Sequence, residues 1–132
     1  MNTAHHHDAA QYAALDSEAD ALLASEILEH EIATMVGDAA GDVCGDLVDD
    51  LDGARTERER DALETLLSTA HSWLDAHFRD HLTGSTTPSP AAAEADRLWA
   101  VVTAERATPG YDKRPTLLEI EADEAFLADI AY

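Results

Sequence analysis

Residues 56–82, TERERDALETLLSTAHSWLDAHFRDHL, decide the fold. Leu63, Leu67, Ala70, Leu74, His77 and His81 follow one another at steps of three or four, and Leu66, Trp73 and Phe78 broaden the stripe. That period places them on one side of an α-helix, so the stretch reads as a single amphipathic helix that needs a partner surface. Thr56 followed by Glu59 opens it as a capping box, in which each side chain satisfies a free backbone N–H of the other.

Working outward, the same period recurs on both sides. Upstream, Tyr12, Leu15, Ala19, Leu22, Leu23, Ile27, Leu28, Ile32 and Met35 predict a long helix over residues 9–36, ended by Gly37 and Asp38. Val43, Cys44, Leu47, Val48 and Leu51 predict a shorter one over 39–51, weakened by Gly41 and Gly45 and closed by Gly53. Downstream, GSTTPSP at 84–90 is a loop. Ser89 as N-cap and Pro90 at the first helical position then start a helix through Ala107, with Ala91, Ala95, Leu98, Trp99 and Val102 inward. Thr108, Pro109 and Gly110 stop it. Thr116 and Glu119 form a second capping box ahead of Leu117, Ile120, Leu127 and Ile130, which predicts a last helix; a short strand over Leu117–Glu121 is the alternative. The expected fold is all-α, a compact bundle of four to five helices over residues 9–132 behind a flexible tail at 1–8.

Charge is the second strong signal. The chain carries 28 Asp and Glu against 8 Lys and Arg in 132 residues, for a net charge of −20. A disordered acidic tail would be poor in large apolar residues, whereas 45% of this chain is hydrophobic and periodically spaced, so it reads as folded. Arg supplies seven of the eight cations, and Asp and Ala are abundant. That composition resembles the proteins of extremely halophilic archaea and implies adaptation to salt. The domain is expected to loosen below roughly 0.2 M salt and to be compact in molar KCl, where the Debye length falls to about 3 Å.

Residues 1–54 hold no Lys or Arg, which argues against nucleic acid or anionic lipid as partners of that half. One cysteine, Cys44, excludes an internal disulfide and fits a reducing cytoplasm. Neither a signal peptide nor a run of 18 apolar residues is visible, so a cytoplasmic protein is expected.

Two clusters have the residue types of metal chemistry. His77 and His81 lie four apart on one helix face, and Glu26 and His30 do the same on the first helix, so an antiparallel pair would gather a Zn or non-haem Fe site, with His71 in reserve. EILEHEI at 26–32 with SWLDAHFRDHL at 72–82 resembles the hemerythrin-type helical bundles, which place His on successive helices. The resemblance covers these two segments, and no histidine follows His81 to match the family's later His-bearing helix. The structural alternative is that His77 and His81 cover apolar surface at a helix C-terminus, where an imidazolium complements the dipole. Glu26 and Glu29 on one helix, with Asp46 and Asp49 on the next, are similar to the acid pairs with which all-α nucleotide pyrophosphohydrolases hold Mg²⁺. Such pairs also arise by chance where about one residue in five is acidic.

A third feature is the segment ATPGYDKRP at 107–115, which gathers Tyr111, Lys113 and Arg114 and reads as a contact loop for a partner protein, or as an ordinary connector. No Ser-His-Asp set, P-loop or dinucleotide fingerprint is present. Together these readings favour a non-catalytic protein-interaction or regulatory module without a cofactor, self-associating as a homodimer or binding a partner protein. A Zn- or Fe-binding bundle and a Mg²⁺-dependent hydrolase are the alternatives.

Overall fold

The computed structural model describes residues 3–130, with side chains described from Ser17 onward. It is all-α among these residues: α1 spans Thr3–Asp52, α2 Glu57–Ser68, α3 Ala70–Thr83, α4 Pro90–Arg106 and α5 Leu117–Ile130, with a 3-10 turn at Tyr111–Lys113. The strand alternative at Leu117–Glu121 is thereby replaced by helix. The N–H of Glu119 donates to the Thr116 hydroxyl at 3.2 Å, as the second capping box predicts. Of the tail expected at 1–8, residues 3–8 belong to α1 and residues 1 and 2 lie outside the described residues.

The chain divides into two compact units, residues 1–35 and 36–132. The second holds most of the core. There α4 packs on both α2 and α3. Ala62, Leu63 and Leu66 of α2, Ala70, Trp73 and Leu74 of α3, and Ala92, Ala95, Leu98 and Val102 of α4 are buried, along with Val36, Ala40 and Leu47 of α1. Small alanines at 62, 70, 92 and 95 let helix axes approach while the larger residues fill the remaining space. In α4 the buried alanines are Ala92 and Ala95, whereas Ala91 and Trp99, expected inward, are only half-buried.

Two expected boundaries move. The predicted helices at 9–36 and 39–51 are one helix, because Gly37 does not end α1 and Gly41 and Gly45 do not weaken it enough to break it. Buried Ile32, Val36, Ala40 and Leu47 keep a continuous helical stripe past the glycines, and that burial outweighs about 1 kcal/mol per glycine. A Cβ at Gly37, Gly41 or Gly45 would meet nothing within 4 Å. Replacing all three by Ala is therefore expected to raise the melting temperature, by about 1 kcal/mol of stability per site. A melt that stayed the same or fell would show that these positions serve something other than the helix.

Conversely, the single helix predicted from Thr56 to Leu82 is two, kinked at Thr69 with φ −109° and ψ 11°. Three hydroxyl residues meet there and compete for backbone carbonyls. Ser68 and Thr69 both donate to the carbonyl of Thr65, at 3.1 and 2.6 Å. The indole N–H of Trp73 takes the Leu66 carbonyl at 2.9 Å, so the ring can be buried without an orphaned donor.

Candidate functional site

The best-built polar cluster lies where α2, the end of α4 and the 3-10 turn meet. It begins with the capping box. The N–H of Glu59 donates to the Thr56 hydroxyl at 3.1 Å, but the Glu59 carboxylate accepts from the N–H of Arg55, at 2.8 Å, one residue beyond the expected partner. From there the side chain runs inward and is fully buried. Tyr111 donates its hydroxyl to the carboxylate, 2.5 and 2.6 Å from the two oxygens, and Arg106 Nε donates at 2.9 Å. Arg106 also pairs with Asp50 of α1 at 3.4 Å. Arg55 Nη1 donates to the carbonyls of Asp112, at 2.7 Å, and Arg114, at 2.5 Å, while its guanidinium lies 5.6 Å from the Tyr111 ring centre.

Electrostatics follow from that geometry. Burial pushes the Glu59 carboxyl upward, but hydrogen bonds from Tyr111, the Arg55 amide and Arg106, with the Arg106 charge, outweigh it and hold the group below its ordinary range. Burial and the hydrogen bond to Glu59 push the Tyr111 phenol up. The result is an ionised Glu59 with its donors supplied, which fixes the segment 106–114 against α2. Leu117 continues the attachment, donating its N–H to the carbonyl of Ala54 at 2.9 Å.

Chemically this cluster is closed. Two grooves lie on the second unit, one of about 200 Å³ lined by Arg58, Asp61, Ala62, Thr65, Arg97, Leu98 and Val101, the other of about 220 Å³ lined by Leu51, Asp52, Arg60, Glu64, Leu118 and Glu121. Neither is lined by Glu59, Tyr111 or Arg106, so a substrate reaching either groove does not meet the carboxylate.

The residues singled out from the sequence fall elsewhere. His77 is half-buried on α3, edge-on to Trp73 with ring centres 6.1 Å apart, and its Nε2 is 3.7 Å from an Asp96 oxygen. His81 and His71 are exposed. Glu26 and His30 are exposed in the first unit, whereas His77 and His81 belong to the second. Among the described residues no group of three or more His, Cys, Asp or Glu is placed to hold one metal ion. Glu26, Glu29, Asp46 and Asp49 all stand on α1, so the two successive helices assumed for the acid pairs are one.

Of the contact-loop residues, Lys113 and Arg114 are exposed, and Tyr111 is half-buried with its hydroxyl engaged inside. Sequence reasoning placed Glu59 only in a cap. A signal was present: Glu59 stands in helical register with Leu63, Leu66 and Ala70, on the apolar stripe, where an ionised carboxylate requires cationic or hydroxyl partners.

Asp80 does a similar structural task at the surface. It accepts from the Ser89 N–H at 2.8 Å and from the Ser89 hydroxyl, which together hold its carboxyl low and close the 84–90 loop onto the start of α4.

The largest unpartnered features are apolar. On α1 residues 17–31 are exposed apart from half-buried Leu28, including Leu22, Leu23 and Ile27 of the apolar stripe that predicted the helix. Among the described residues the other helices have 17 residues or fewer, against the 50 of α1. On α5 Phe126, Leu127 and Ile130 are each about two-thirds exposed. No helix among the described residues is long and apolar enough to cross a membrane. Compared with known protein families, curated proteins and solved structures, the chain matches none.

Proposed function

We propose that the protein is a non-catalytic interaction module, a helical bundle that presents apolar helix surface to a partner. The observation that carries this reading is the exposure of large apolar side chains on two helices, Leu22 at 66% and Ile27 at 58% on α1, and Phe126, Leu127 and Ile130 on α5. Scattered surface leucines are ordinary, but runs of them along exposed helix faces are characteristic of surfaces that another chain covers. The closed geometry around Glu59 supports the same reading, since this cluster is accounted for by holding the fold together. Exposed Lys113 and Arg114 add cationic contact points beside it.

The test is partner capture at native salt with two triple variants, Leu22, Leu23 and Ile27 to Ala, and Phe126, Leu127 and Ile130 to Ala. Each replaces exposed side chains, so the melting temperature is expected to change by less than about 1 kcal/mol equivalent. At least one variant is expected to lose the partner that the parent retains. Equal capture by all three proteins, or no specific partner for the parent, counts against the reading.

A further inference from the structure

The charges are segregated along the chain in a way that overall acidity does not require. All eight Lys and Arg fall between Arg55 and Arg114, where ten acids accompany them. Residues 1–54 carry 13 acids, residues 115–132 carry five, and neither stretch has a cation. The central helices are close to neutral, and the two ends, which bear the exposed apolar residues, are wholly acidic.

On α5 the two properties share one face. At 100° per residue, Ile120, Phe126, Leu127 and Ile130 lie within about one third of the helix circumference, and Glu119 and Asp123 fall among them. Residues 118–130 are all exposed. The amino end is fixed, by the Leu117–Ala54 backbone bond and by an ion pair between Glu121 and Arg60 of α2. The carboxyl end from Asp123 to Ile130 therefore offers a preformed helix with an apolar centre and acidic neighbours.

Resting on the interaction reading above, we propose that this face of α5 docks a basic amphipathic segment of another protein. Its apolar residues would cover Phe126, Leu127 and Ile130, and its Lys or Arg would pair with Asp123, Glu124 and Asp129. Charge selects among the candidate occupants. Anionic lipid and nucleic acid are repelled by a surface with five acids and no cation. The α5 or α1 of a second copy would set like charges against each other, a repulsion that molar salt weakens but does not turn into attraction. A basic segment turns the same carboxylates into contact ion pairs at the rim of an apolar core, the arrangement that sets specificity in helix-in-surface recognition.

The experiment uses the full chain in about 1 M KCl and two synthetic helical peptides with the same leucine spacing, one flanked by Lys and one by Glu. Binding is read by fluorescence anisotropy, with sedimentation equilibrium on the protein alone. The Lys peptide is expected to bind, and the Glu peptide to bind at least about tenfold more weakly. Phe126→Ala with Leu127→Ala, and separately Asp123→Lys with Glu124→Lys, are expected to weaken the Lys peptide by a similar factor at unchanged melting temperature. Equal binding of the two peptides, no binding of the Lys peptide, undiminished binding by both variants, or a dimer of the parent that these substitutions dissociate would each overturn the proposal. If the peptides fail while partner capture succeeds, the charge argument falls and the interaction reading stands. If capture fails too, both fall.

Discussion

Replacing Glu59 by Ala is expected to destabilise the protein by about 3 kcal/mol, a fall of about 10 °C in melting temperature for a chain of this size. The variant leaves the Arg55 N–H, the Tyr111 hydroxyl and Arg106 Nε without their acceptor, in a place that excludes water from the carboxylate. Arg106 retains Asp50 at 3.4 Å and is itself half-open to solvent, which keeps the loss below that of a wholly enclosed ion. Glu59→Gln, which keeps the shape and discards the charge, should cost less than Ala. Tyr111→Phe should cost less still, because Arg55 and Arg106 remain on the carboxylate. Thermal melts in molar KCl decide the matter; a loss under about 1 kcal/mol for the alanine variant would mean that the cluster is incidental to folding. The pH dependence has a definite sign. The folded carboxyl titrates below the ordinary glutamate value of about 4.3, so its contribution is complete above that pH and is lost as pH falls through the lowered folded value. Asp80, held low by Ser89, acts in the same direction.

The second large effect is that of salt. A cooperative melt in molar KCl is expected to broaden and shift sharply downward below roughly 0.2 M, where the Debye length approaches 10 Å. Much of the cause lies in α1. Asp38, Asp42 and Asp46 stand four residues apart along it, and like charges at that spacing cost about 0.2–0.5 kcal/mol per pair. Its last turn contains no basic residue, and Asp49, Asp50 and Asp52 there oppose the negative end of the helix dipole, at about 0.3–1 kcal/mol each in low salt. Arg106 relieves Asp50 alone of these three among the ion pairs given by the geometry. Replacing Asp38, Asp42 and Asp46 by Asn should therefore lower the salt concentration needed for folding. A melting temperature constant to a few degrees between 0.1 and 2 M KCl would remove the argument, as would a triple variant indistinguishable from the parent.

Much of the architecture was legible because helices announce themselves through spacing and caps. The Pro90 start of α4, the Thr56 cap of α2 and the helix after Thr116 follow from local chemistry that a sequence displays directly, whereas the Ser89 hydroxyl, expected to cap α4, donates to Asp80 instead. Where the pattern misled, a term other than apolar spacing had won. Burial of Ile32, Val36, Ala40 and Leu47 carried α1 through three glycines, and hydroxyl competition around Thr65 with the Trp73 indole bond split α2 from α3. The cluster around Glu59 was not legible as a unit, because its members come from positions 55, 59, 106 and 111 and only folding brings them together. The exposure of Leu22, Leu23 and Ile27 was hidden for the opposite reason. An apolar stripe is written identically whether its cover comes from the same chain or from another.

The placement of the two tryptophans has an optical consequence. Trp73 is buried on α3 with its indole bonded to Leu66, and Trp99 is half-buried on α4. Both emit from within the bundle, whereas α1 and α5 contain no tryptophan. Emission during unfolding will report the loosening of α3 and α4 and of the α2 carbonyl that Trp73 bonds, while far-ultraviolet ellipticity, weighted toward the 50 residues of α1, will follow the long helix. Superimposable curves from the two signals would identify one cooperative transition, and an earlier loss of ellipticity would expose fraying that emission cannot see.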